Sequence, residues 1–73
     1  MVDDMKYRID YQWQQAGWQA GEEHHYPHQL AAEGVAVLKK SVSRQRFERG
    51  LNQDYITDYR IRAIRFSLLM RSL

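Results

Sequence analysis

The residues with the most overt chemistry are Glu22, Glu23, His24, His25 and His28, because neutral imidazole and carboxylate together can hold zinc or nickel. Their spacing fits no established ligand motif, and on an extended strand His24 and His25 point to opposite faces. A solvated polar edge leading into a helix explains the cluster better, so neither a metal nor any other cofactor is expected. Asp10, Asp54 and Asp58 could serve as acid-base partners for the histidines, but a 73-residue chain leaves little room for a pocket that would tune their pKa values. There is no cysteine nucleophile, no GxxxxGK[ST] phosphate loop and no GxSxG turn. The expectation is a binding protein rather than an enzyme.

The arginines are more informative. Arg60 and Arg62 share one face of an extended segment, and Lys6 and Arg8 can occupy the same face of a neighbouring strand. A basic patch among Tyr and Trp side chains suits phosphate contact and base stacking. The planar guanidinium fork suits carboxylates on an acidic protein surface equally well. The plainest alternative is that these long side chains only solvate an open sheet face, with their stems lying across it. A pI of 9.2 is borderline for a nucleic-acid footprint and tilts the reading toward protein. Trp13 and Trp18 flank a turn; Trp13 is assigned to the core and Trp18 to contact, as an exposed Trp beside Arg is common in interface hot spots. The expected partner-binding set is Asp3, Asp4, Lys6, Tyr7, Arg8, Trp18, Arg60 and Arg62. The rival is a small basic nucleic-acid-binding domain in which Lys39, Lys40, Arg44, Arg60 and Arg62 meet phosphates.

These side chains need a scaffold, and the pattern of apolar residues supplies one. Tyr7, Ile9, Tyr11 and Trp13 alternate with Lys6, Arg8, Asp10, Gln12 and Gln14, the period of a half-buried strand. After a turn at Ala16-Gly17, Trp18 to Tyr26 returns antiparallel as an edge strand. From His28 to Arg49, Ala31, Val35, Leu38 and Val42 recur at steps of four, three and four and form one helical stripe, predicted to lie on the sheet. Pro27 suits the first turn and Gly50 the residue past the end. Phe47 falls on the opposite side, which predicts either a helix that loosens before it or a contact with a partner. In the last segment Tyr59, Ile61 and Ala63 alternate with arginines, then the apolar residues shift to Ile64, Phe66 and Leu68, which predicts a bulge near Ala63. A helix would also fit Ile61, Ile64 and Leu68, but the β-branched and aromatic content favours strand. The expected fold is a single α+β domain spanning 1–73: a three-stranded antiparallel sheet in the order β-β-α-β, with one helix packed on one face.

Size and charge complete the reading. A domain this small buries only about 60% of its unfolded surface. Without cysteine it has no disulfide to compensate, which favours a reducing, cytoplasmic setting and a stabilising partner, whether another protein or a second copy. Its longest apolar run, Leu68-Leu69-Met70, is far below the roughly 20 residues of a membrane span, and residues 1–6 lead into no signal core. The net charge of +2 hides two poles: two basic against six acidic residues up to Ala36, then nine against three from Val37. The length, the absence of cysteine, the β-β-α-β order and the Arg-rich second half resemble small phage-encoded inhibitors of host machinery, among them RNA-polymerase-binding regulators of Xanthomonas lytic phages. The resemblance implies a viral, non-catalytic transcription regulator in the bacterial host cytoplasm. Such a protein docks on host RNA polymerase, inhibits promoter-dependent initiation and can permit antitermination.

Overall fold

In a computed structural model, which describes residues 4–21 and 25–66, the chain forms β1 (Asp4–Trp13), β2 (Gly17–Gln19), α1 (Gln29–Glu48) and β3 (Ile56–Phe66). The sheet is antiparallel in the order β2-β1-β3, so the strand with the clearest alternation is the central one. Its Ile9 and Tyr11 are buried, with Tyr7 and Trp13 partly so, and α1 lies over them. This is the expected α+β architecture. The second strand is shorter than the pattern predicts: after Gln19 regular pairing stops, and Tyr26 makes one isolated bridge to Tyr7.

The helix presents a different face to the sheet from the one its stripe predicts. Its buried residues are Ala32, Ala36 and Ser43, whereas Leu38 is 62% exposed and Val42 is 42% exposed. The pairs 31/32, 35/36 and 42/43 differ by one position, a rotation of about 100°. The physical reason lies in the floor, where the sheet already contributes Tyr7, Ile9, Tyr11, Trp13, Tyr59 and Ile61 to the core. Over such bulk a helix packs closely only through small side chains. Ser43 adds a polar fastening: its hydroxyl donates to the Lys40 carbonyl (2.9 Å) and accepts the buried Ile56 N–H (3.0 Å). The helix does not loosen before Phe47 but runs to Glu48, and the Phe47 ring packs at a tilt of 50° against Tyr55 of the same chain, 4.7 Å between ring centres. It closes in a Schellman turn, with Gly50 at φ +76°, Gly50 N–H on the Phe47 carbonyl and Leu51 N–H on that of Arg46.

The predicted bulge near Ala63 is also absent. β1 and β3 pair without interruption from Asp4↔Phe66 to Gln12↔Asp58, and the irregularity falls between Gln12 and Trp13. There Trp13 pairs with Ile56, leaving Thr57 as the extra residue, its hydroxyl on the Gln12 carbonyl. The apolar shift at Ile64 is a change of face: Ile64 pairs with Lys6, in phase with Arg60 and Arg62. Leu68 lies outside the described residues. At the other end, Asp54 ties the β1–β2 turn to the approach of β3, accepting the N–H groups of Gln15 (3.0 Å), Ala16 (3.1 Å) and Tyr55 (2.8 Å). Partial burial alone would raise its pKa, but these donors and the Gln14 N–H lower it below the usual 3.8.

Candidate partner-binding face

The face of the sheet away from α1 carries Lys6, Arg8, Asp10 and Gln12 from β1, matched in register by Ile64, Arg62, Arg60 and Asp58 from β3. Two features of this pairing invite repulsion. Arg8 stands directly opposite Arg62, and Arg60 is two residues from Arg62 on the same face. Asp10 resolves both. Only 2% exposed, its carboxylate accepts Arg8 Nε at 3.0 Å on one oxygen and Arg60 Nε at 3.2 Å on the other, with Arg62 Nη1 at 3.7 Å. The Gly21 N–H is a further donor at 3.2 Å.

The requirement for glycine at 21, just beyond β2, is steric. The segment passes so close to β1 that a Cβ there would run into the Ile9 carbonyl. Burial would push the Asp10 pKa up, but the Gly21 N–H and the Arg8 and Arg60 guanidinium groups outweigh it, and the carboxyl is held below its ordinary 3.8. Asp10 is therefore an anion enclosed by arginine side chains and one strip of backbone.

One carboxylate cannot neutralise three guanidinium groups. Arg60 and Arg62 remain half exposed, at 50% and 53% of their side chains, and Arg8 is 29% exposed. Each guanidinium carries five donors, so most stay available to a partner. Arg60 also lies over the Trp18 ring, 4.4 Å from its centroid, and Trp18 is 39% exposed. The result is a positively charged face on which Arg8 and Arg60 hydrogen-bond to Asp10 and Arg62 stands within ion-pair reach of it.

Of the predicted contact residues, Arg8, Trp18, Arg60 and Arg62 converge, with Lys6 two positions along from Arg8 on the same face. Tyr7 does not join them: it sits on the opposite face, packed against the core and bridged to Tyr26. Strand alternation forbids Tyr7 and Arg8 from sharing a side. Asp4 opens β1 opposite Phe66, and Asp3 lies outside the described residues. Asp10 and Gly21 are not among the contacts the sequence predicts. An acid in phase with Arg8 is the signal that identifies Asp10; nothing local in the sequence marks Gly21.

The five cations of the nucleic-acid reading do not share a surface. Lys39, Lys40 and Arg44 ride on α1, across the sheet from Arg60 and Arg62, with Lys39 near the Tyr11 ring and Arg44 over Tyr55. Of the histidine cluster, Glu22, Glu23 and His24 lie outside the described residues, while His25 and His28 are exposed. Among the described residues no three His, Cys, Asp or Glu side chains gather as a metal site, and no helix is long and apolar enough to cross a membrane. Compared with known families, curated proteins and solved structures, the chain shows no match.

Proposed function

We propose that this chain is a non-catalytic regulator that docks its arginine–tryptophan face on an acidic protein surface, bacterial RNA polymerase being the partner implied by the resemblance to small phage inhibitors. Binding there would block promoter-dependent initiation by occupying the polymerase. The observation that carries the reading is the Asp10-centred cluster, in which Arg8, Arg60 and Arg62 are oriented by one carboxylate and Arg60 is backed by Trp18. Guanidinium groups held in advance by a hydrogen bond, as those of Arg8 and Arg60 are, lose less rotamer freedom on meeting a carboxylate, which favours a specific contact over diffuse attraction.

The test is recovery of partners from nuclease-treated bacterial lysate on tagged protein, beside the Arg60→Glu/Arg62→Glu variant. Polymerase subunits recovered by the parent and lost by the variant support the proposal. If nuclease treatment removes everything the parent recovers, the chain binds nucleic acid and the proposal fails. A nucleic-acid complex would also weaken with salt at a log–log slope of about 0.9 per phosphate contact.

A further inference from the structure

We infer that the other side of the molecule holds a second site, a groove for a small apolar carboxylate. The rotation of α1 leaves Leu38 and Val42 off the core, where they form one wall of an open groove of about 460 Å³. Tyr11 and Trp13 of β1 supply the facing surface, and Ile56 lies at the base. The volume falls in the range of about 300–1,000 Å³ typical of small-ligand sites, which are mostly apolar with a few polar groups that set orientation.

The polar groups decide the class of ligand. Lys39 and Arg46, both exposed, edge the groove, and no Asp or Glu among the described residues lines it. Arg46 uses Nε on the Asn52 side chain at 3.2 Å and Lys39 stands 5.9 Å from the Tyr11 ring centre, so neither cation is paired with a described carboxylate. An aromatic or aliphatic body would lie against Tyr11, Trp13, Leu38 and Val42, and a carboxylate head would meet the two cations. The arginine face contributes nothing to this site, because the sheet separates them.

The probe is 4-phenylbutyrate, with the uncharged 4-phenylbutanamide as its isostere, titrated into the full chain by calorimetry and followed by amide chemical shifts. Saturable one-to-one binding is expected, with shifts at Tyr11, Leu38 and Val42 and the amide about tenfold weaker for want of charge-assisted hydrogen bonds. The Lys39→Gln/Arg46→Gln variant alters two exposed helix positions and should bind the carboxylate as weakly as the parent binds the amide. Leu38→Glu should abolish binding. Absence of saturable binding, equal affinity for carboxylate and amide, or shifts confined to Arg8 and Arg62 would each overturn the inference. Shifts confined to Arg8 and Arg62 would place the probe on the arginine face instead; the other outcomes leave that face untouched, and its binding to a partner is measured separately.

Discussion

The two faces of the sheet are held by different physics. Under α1, Ile9, Tyr11, Ala32, Ala36 and Ile56 are buried and the interaction is shared over many apolar contacts. On the open face a single buried carboxylate organises three cations. Dispersed packing loses stability in proportion to the volume removed. A charge cluster depends on its centre, because the cations left behind repel. The first face fixes the fold, and the second fixes how donors are displayed.

Substitutions can break this contrast at several points. Ile9→Ala opens a cavity in a core with few members and is expected to cost about 3 kcal/mol, enough to unfold much of a domain this small; a denaturant titration measures it. Asp10→Asn should cost about 2 kcal/mol, below the 3–5 kcal/mol typical of a deeply buried pair because the arginines reach water. Unlike Ile9→Ala, its cost should shrink with added salt, which screens the exposed ends of the remaining cations. Ser43→Ala strands the Ile56 N–H and should cost about 1–2 kcal/mol by the same assay. Leu38→Ala is the control for the orientation of α1: at an exposed position it should change stability by less than about 0.5 kcal/mol, whereas a helix seated on the predicted stripe would lose several times that.

Acid separates the faces in a second way. Asp10 and Asp54 both have folded-state pKa values below 3.8, so each is more readily protonated in the unfolded chain. Their stabilising contribution is full above about pH 4–5 and is lost as pH falls through the lower folded values. The melting temperature should therefore fall below about pH 4, and Asp10→Asn should flatten that limb while lowering the plateau. A limb unchanged by the substitution would mean that Asp10 is not held as an anion by its arginines.

Much of the fold is legible in the residues because β1 alternates without exception, and that alternation alone separates the core face from the face of Arg8 and Asp10. The orientation of α1 is not legible. Its most apolar stripe and its buried stripe differ by one residue, and the choice depends on how much bulk the sheet brings from below. The apolar step at Ile64 is ambiguous for a similar reason: a bulge and a change of exposed face leave the same trace in one strand, and only the pairing of Lys6 with Ile64 separates them. The arginines at 8, 60 and 62 could be grouped by strand phase, but the part played by Asp10 depends on bringing residues 8, 10, 21, 60 and 62 together. Residue type alone places Tyr7 among the contacts, and strand phase overrules type.

The most direct test of the docking face is the affinity of purified bacterial RNA polymerase for the folded parent, for Arg62→Gln and for Arg60→Glu/Arg62→Glu, each first shown to melt cooperatively. Arg62→Gln keeps two of the three cations on Asp10 and should bind a few-fold more weakly, while the double reversal should lose at least tenfold, since it places carboxylates where an acidic partner must approach. Equal binding by all three, or no binding by the parent, would contradict the account.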